Sequence, residues 1–356
     1  MARAGVHKIA QLARVSIGTV DRALHGRVGI SADTRRRVLR IARKLHYEPH
    51  PAARMLSVGR ANLRIGVCIP QEIHFFYDQM RAGIFEEARR VLGVEIVYDP
   101  VPSLGEGEKS HVARLLAQGV NALIVTPGDP RAVTPLINQA EERNVRVVCI
   151  TTDAPRSRRS STVCVDPELN GRLAAELMAK FVAPGAEVAM LTGMLTTVEH
   201  RLKAKGFRGG FVQDCAGGKV VAVLEAHESE QESYRKTCRL LDQHPRLSGI
   251  YVSTVNCLPV CRAIRARGRA GEVRLITTDL FPQMVPYLKR GTILASIYQD
   301  PYLQGQTAVR LLADHLLHGT AIPAAQYLNP GIVLQTNLHL FREVQDMRSR
   351  SGGTGR

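Results

Sequence analysis

Seven residues between positions 75 and 299 share a chemical profile: Phe75, Phe76, Asp153, Arg201, Asn256, Asp279 and Gln299. Rings can stack beneath the C–H faces of a small molecule, while carboxylate, amide and guanidinium groups exchange hydrogen bonds with hydroxyls around its edge. Each lies just after a short apolar run, or early in the segment that follows one. In open parallel sheets, ligands bind beyond the carboxyl ends of the strands. The shared position therefore points to a clamp for a sugar or polyol. Singly, each residue has a plainer reading. Phe75 and Phe76 can be core, Asp153 and Asp279 can cap helices, and Arg201 can serve a surface ion pair.

A second set is local. In "IAQLARVSIGTVDRAL", Ile9, Leu12 and Ala13 recur at the spacing of one helical face, and Val20, Ala23 and Leu24 repeat it after a short break. Two small helices sharing a core leave Ile17, Gly18, Thr19, Asp21 and Arg22 outside. Ser16 is placed to cap the second helix. Its first turns would then point outward, where Arg22 can meet guanine or a phosphate, Thr19 a phosphate or a thymine methyl, and Gly18 permits close approach. "SADTRRRVLRIARKL" supplies a third helix with Ser31 as cap and Val38, Ile41, Ala42 and Leu45 as its apolar stripe. Residues 1 to 64 hold 14 Lys or Arg against 3 Asp or Glu, which is +11 of the chain's formal +16. So concentrated a positive module suits a polyanion, although a merely soluble basic end would carry the same charge.

Other chemistries lack their signatures. The sequence has no G-x-S-x-G elbow, phosphate-cradling glycine loop, H-E-x-x-H or metal cluster, so an enzymatic reading built on Asp153 and Asp279 has no named mechanism, and no cofactor or metal is expected. The seven cysteines are odd in number and form no disulfide framework; Cys257 and Cys261 sit four apart without further paired ligands, and His315 and His318 read as a solvated helix face. No run approaches the roughly 18 apolar residues of a membrane span, and no secretory leader is visible, so the expectation is a cytoplasmic protein with no membrane partner.

The elements that must position these residues are alternating short strands and amphipathic helices. "RIGVCIP", "VEIVYDP", "ALIVTP" and "RVVCIT" form one βα series, with a first helix expected around Gln79 to Leu92. "EVAMLTG", "VVAVLEA", "GIYVST", "VRLITTD" and "LASIYQD" form another. The fold class is therefore α/β: a three-helix helix-turn-helix domain, then two similar lobes of parallel sheet flanked by helices. The expected division is 1–48 for the helical domain, 49–62 for a hinge helix and linker, 63–343 for the two lobes with effector binding and dimerisation, and 344–356 for a disordered tail. The hinge reading rests on "YEPHPAARMLSVGR", where about six helix-compatible residues are too few to be stable alone. Leu56 there is an interdomain contact, or a wedge between base steps.

"IAQLARVSIGTVDRALHGR", the "GISADTRRRVLRIARKLHYEPHPAARML" that follows and the βα series together resemble the lac-repressor (LacI/GalR) family over nearly the whole chain. The resemblance implies a second helix reading an operator's major groove and paired hinge helices that insert Leu56. Arg14 stands where the turn usually has glycine, and Asp21 where serine is usual. The rear part looks like the periplasmic sugar-binding-protein fold, in its ribose-binding-like branch. That likeness implies a sugar held by the aromatic pair Phe75 and Phe76, by Arg201 six residues before the end of "KAKGF", by Asp279, and by Gln299 in "YQDPYLQG". Ile73 and His74 replace an asparagine that commonly precedes the pair, and the strand-end acid is shifted to Asp153. The expected function is a homodimeric, ligand-controlled repressor of double-stranded operator DNA. The alternative, a solute-binding protein feeding a sugar transporter, leaves residues 1 to 60 unexplained.

Overall fold

The computed structural model describes residues 6–24, 29–45 and 63–341, which fall into two compact units divided at Arg60 and Ala61. The hinge segment with Leu56 and the expected tail lie outside the described residues.

The front unit holds α1 (Val6–Ala13), α2 (Ile17–Leu24) and α3 (Ala32–Lys44). Its core is Ile9, Ala10, Ala13, Val20, Ala23, Val38 and Ala42, with Val15, Ile41 and Leu45 packed around it. Leu12, expected inside, is half exposed, and Ala10 takes its place in the core. Ser16 and Ser31 cap α2 and α3, each accepting from the backbone N–H three residues on at 3.2 Å. The turn between α1 and α2 places Arg14 at φ 50°, the left-handed region where glycine is at ease.

The rear unit is two α/β lobes. In the first, β1 (Leu63–Cys68), β2 (Val94–Tyr98), β3 (Ala122–Val125), β4 (Arg146–Ile150), β5 (Ser161–Val165) and β11 (Gln326–Leu328) pair in the order β11-β5-β4-β3-β1-β2, parallel throughout. Helices α4 (His74–Arg90), α5 (Glu108–Ala117), α6 (Pro130–Glu142) and α12 (Pro301–His318) accompany it. The second sheet joins β6 (Glu187–Thr192), β7 (Lys219–Glu225), β8 (Leu247–Val252), β9 (Arg274–Thr278), β10 (Ala295–Tyr298) and β12 (Gly331–Val333) in the order β12-β10-β9-β8-β6-β7. Only the β10–β12 pairing is antiparallel. Its helices are α7 (Pro167–Phe181), α8 (Val198–Asp214), α9 (Glu230–Gln243), α10 (Cys257–Ala266) and α11 (Val285–Lys289). The central strands are buried along nearly their whole length, as a sheet covered on both faces requires. No helix among the described residues is long and apolar enough to cross a membrane.

The chain crosses between lobes three times, after β5, after β10 and after β11, and each crossing carries a residue–proline pair: Asp166–Pro167, Asp300–Pro301 and Asn329–Pro330. Pro167 and Pro301 open helices whose first turns are capped by Asp166, which accepts from the Glu168 and Leu169 N–H groups, and Asp300, which accepts from Leu303 N–H. The fixed proline φ and these caps limit how the crossings can bend. Glycine sets the helix packing beside them. A Cβ on Gly83 of α4 would lie 2.1 Å from the Tyr302 carbonyl oxygen of α12, and one on Gly171 of α7 would lie 2.1 Å from that of Lys203 in α8.

Candidate functional site

Six of the eight non-glycine residues with positive φ among the described residues sit at the rim between the lobes or its crossings: Ile73, Thr151, His227, Glu228, Asp279 and Asp300. Holding such residues in left-handed backbone costs of order 1–3 kcal/mol each and persists where surrounding structure dictates it. Thr151 directly follows β4 and Asp279 directly follows β9, so the strain falls at the carboxyl ends of strands. It turns their side chains into a cleft lined by Phe76, Tyr77, Thr151, His200, Glu228, Thr254, Asp279 and Gln299, among others.

Helix α4 begins at His74, five residues before the expected start, so Phe75 and Phe76 lie in a helical first turn rather than a loop. Successive helical residues point about 100° apart, and the two rings accordingly part company. Phe76 is buried and lines the cleft. Phe75 reaches across the lobes to stack on Phe281, with centroids 4.1 Å apart and planes at 24°. It is a latch between lobes.

The same periodicity corrects the place of Arg201. Glu199, His200, Lys203 and Phe207 form the inward face of α8, all buried. Arg201, two positions before Lys203, points away to solvent and donates to the Leu195 carbonyl oxygen at 3.3 Å. The buried cation is Lys203, fully enclosed, with its Nζ on the Glu199 carboxylate. Burial alone would push Glu199 up and Lys203 down, but their mutual attraction prevails: Glu199 titrates below the usual carboxylate range and Lys203 above the usual amine range.

Asp153 is also displaced from its expected role. It accepts from Arg159 Nη2 at 2.6 Å and from the Ala154 N–H at 2.7 Å, while Arg159 donates to the Ala324 carbonyl oxygen. This ion pair borders a second chamber of about 300 Å³ beside the Asp166–Pro167 crossing, sharing Thr151 and Glu199 with the cleft and also lined by Thr152, Thr162, Cys164, Leu202 and Tyr327. Thr152 is the residue that bridges the lobes here, its Oγ1 accepting from the Glu199 N–H at 3.5 Å.

Asp279 and Gln299 do meet. Gln299 Nε2 donates to Asp279 Oδ1 at 3.0 Å, and both line the cleft. Asn256 stands one step behind, donating from Nδ2 to Glu228 Oε2 at 3.3 Å, and Thr254 Oγ1 donates to the same oxygen. His200 Nδ1 lies 2.9 Å from the Met194 backbone nitrogen and 3.2 Å from the Met194 carbonyl oxygen, and its Nε2 points toward two carboxylates. Nε2 lies 3.8 Å from Glu228 Oε1 and 3.9 Å from Glu199 Oε2. Gly193 makes room for this group, because a Cβ there would fall 2.1 Å from Glu228 Oε1 and 2.3 Å from His200 Cε1.

Three residues of the cleft, Glu199, His200 and Glu228, and the buried Lys203 paired with Glu199 behind it, were not anticipated. Glu199, His200 and Lys203 were findable from helical spacing once the inward face of α8 was set by Phe207 and Phe211. Glu228 follows a strand in a loop, and no local pattern singles it out. With Phe75 stacked on Phe281 and Thr152 in contact with α8, the lobes are closed. The space left in this cleft is about 40 Å³, room for roughly three waters. A sugar-sized molecule does not fit this cleft as it stands.

The front unit presents the other candidate surface. Ser16, Ile17, Gly18 and Arg22 are exposed and Thr19 is half-buried, whereas Val20 and Ala23 face the core. Asp21 lies on α2. Ser16 Oγ and Thr19 Oγ1 are 2.9 Å apart, leaving the N-terminal turn of α2 tied and solvent-facing. Arg37 and Arg40 of α3 are exposed, and Arg36 is engaged by Asp33.

Residues 65–320 match the family described as periplasmic binding protein domain, and residues 6–50 match the bacterial regulatory proteins of the lacI family. The chain is 28% identical to the lactose operon repressor of Escherichia coli K12 over 334 residues, 92% of this chain and 89% of that protein. It is 29% identical to the D-ribose/D-allose-binding protein of Pseudomonas aeruginosa over 213 residues, 57% of this chain and 66% of that protein. Among solved structures, GanP, a glucose-galactose binding protein from Geobacillus stearothermophilus, aligns with a TM-score of 0.71 at 27% identity, covering 77% of this chain and 98% of its own.

Proposed function

The chain belongs to the periplasmic binding protein domain family and carries a lacI-family DNA-binding domain, and from that premise we propose that it is a homodimeric transcriptional repressor whose hold on an operator is set by a sugar or polyol between its rear lobes. The observation that carries the reading is the conjunction in one chain of a basic helix-turn-helix unit with a two-lobed cleft. A transported-solute receptor has no use for the first, and a plain DNA-binding module has none for the second.

The mechanism follows from differential affinity. An effector shifts the protein between two conformations only by binding one of them more tightly. Three proline-bearing crossings let the lobes close about fixed pivots, and closure changes the spacing of whatever is attached to them. In a dimer, two α2 helices would lie in successive major grooves of a pseudo-palindrome, with Arg22 and Thr19 toward base edges and the remaining Arg and Lys residues on phosphates. The cleft is read as binding its ligand without transforming it. Asp279, Gln299 and Phe76 contact the effector, with Asn256 orienting Glu228.

The test is selection of operator sequences from a random duplex pool by the purified full chain, followed by titration of sugars and polyols against the selected duplex. The expected result is a sequence-selective shift of a two-fold-symmetric site that one metabolite weakens, and that Arg22→Ala relaxes at one base position by about 1–3 kcal/mol. Recovery of no preferred sequence at low salt would overturn the reading.

A further inference from the structure

The chamber beside the Asp166–Pro167 crossing takes no part in the function proposed above. At about 300 Å³ it far exceeds the room left in the cleft and reaches the lower end of ligand-sized sites, about 300–1,000 Å³. It shares Thr151 and Glu199 with the cleft but none of Phe76, Asp279 and Gln299. Its walls come from both lobes: Thr152, Thr162 and Tyr327 from the first, Leu169, Val198 and Leu202 from the second.

Each carboxylate on those walls already has a partner. Asp153 is held by Arg159 and the Ala154 N–H, Glu199 by Lys203, Glu168 by Lys205, and Asp166 by the first turn of α7. No lysine, arginine or histidine is among the residues that line the chamber. An anion would therefore meet carboxylates and no cation, and a cation would have to draw a carboxylate away from the partner that holds it. What the walls offer instead is apolar surface and hydroxyls. Pro167, Val198 and Leu202 lie along them, and Leu169 and Tyr327 add apolar side chains that are 47% and 53% exposed.

Thr162 supplies the sharper observation. It lines the chamber from β5 and is 2% exposed, and its Oγ1 makes no hydrogen bond of ordinary geometry among the described residues. The Cys164 thiol, on the same face of that strand, is a weak neighbour. A buried hydroxyl left in this way costs free energy that a hydroxyl on a ligand would recover.

We propose that the chamber is a second ligand site for a neutral molecule of about monosaccharide size with an apolar face and a hydroxyl edge, as a deoxy sugar or a methyl glycoside has, and that Thr162 Oγ1 bonds one of its hydroxyls. The site stands whether or not the cleft takes a sugar. Because its walls belong to both lobes, an occupant binds this arrangement of the lobes more tightly than a parted one and so favours it.

The test is calorimetric titration of the full chain at pH 7 with L-fucose, L-rhamnose, methyl β-D-galactoside and methyl β-D-xyloside, and with the charged D-galacturonate and 2-amino-2-deoxy-D-galactose. At least one neutral probe should bind, about tenfold or more tighter than either charged one. Leu202→Trp, which fills the chamber from a half-buried position, should weaken that probe at least about tenfold. Thr162→Val, which keeps the shape and removes the hydroxyl, should weaken it about fivefold, the loss of one hydrogen bond, while the melting temperature of the unliganded protein stays the same or rises. Asp279→Asn, in the cleft alone, should leave it within about threefold of wild type. A probe that L202W and T162V leave untouched, or that D279N weakens more than T162V does, overturns the second site and leaves the sugar or polyol reading of the cleft standing. Charged probes that bind as tightly as the neutral ones overturn it, as does a lower melting temperature for unliganded T162V, which would mean that the hydroxyl is already satisfied within the fold. Silence from every neutral probe also overturns it, and the operator titration still judges the cleft. Should L202W fail to fold, T162V against D279N decides the matter.

Discussion

Replacing Lys203 by methionine isolates the electrostatics of the cleft from its packing. Methionine keeps an unbranched apolar stem of similar length, so the principal loss is the ammonium group on Glu199. Lys203 is fully buried and the Glu199 side chain is 8% exposed, so water cannot take over the abandoned charge. Breaking a buried pair by removing one partner costs about 3–5 kcal/mol, most of it the penalty of the partner left behind. At an m-value of about 3 kcal/mol/M, that lowers the urea midpoint of the rear unit by about 1–1.7 M, read by far-UV circular dichroism. The pH dependence identifies the cause. In the wild type, Glu199 is held below its unfolded value near 4.3, so its contribution is present above that pH and is lost as pH falls through the lower folded value. In K203M the strongest opposing charge is gone and burial outweighs what remains, raising Glu199, so the penalty is largest at neutral pH and shrinks as the carboxyl gains its proton on acidification. The gap between wild type and variant should therefore narrow from pH 7.5 toward pH 5. The double variant E199Q/K203M should regain most of the loss. A K203M protein within 1 kcal/mol of wild type at pH 7.5, a gap that does not change with pH, or a double variant worse than the sum of its parts would refute the reasoning.

Two further outcomes are expected. Gly193→Ala should weaken effector binding by at least about tenfold, because the new methyl displaces Glu228 and His200, while changing stability by no more than about 2 kcal/mol; titration of the variant with the wild-type effector, alongside a urea melt, checks both halves. Arg14→Gly should leave the front unit equally stable or up to about 1 kcal/mol more stable, since relief of about 1–2 kcal/mol of left-handed strain is partly offset by glycine's greater unfolded-state entropy. Denaturation of the full chain followed at the front unit's transition measures it, and a loss above 1 kcal/mol would contradict the strain assignment.

The βα series was legible because a strand covered on both faces must be a short, nearly unbroken apolar run, and "RIGVCIP", "ALIVTP" and "VRLITTD" are such runs. Their carboxyl ends followed, and with them Asp279 and Gln299, because a residue next to a strand end has few places to go. The front helices were legible for a similar reason: three stripes at helical spacing, two of them capped by serines, leave one arrangement of buried faces. Leu12 slipped because on so short a helix the neighbouring Ala10 fills the same core.

Side-chain direction was less legible. Arg201 and Lys203 both lie near the start of the "GF" helix and both are cations, yet two residues are 200° of helical rotation, and only the packing of Phe207 and Phe211 decides which one turns inward to Glu199. Asp153 and Arg159 are six apart in sequence and became an ion pair because the loop after β4 folds back beside β11, a strand contributed from more than 160 residues away. Glu228 depends on a left-handed turn that no composition rule favours. The sequence by itself determined the elements, their order and the two ends at which chemistry can occur, since these follow from local periodicity and charge. Which carboxylates face one another across the lobes was decided by the tertiary structure alone, because that depends on rotations and crossings that sum over the whole chain.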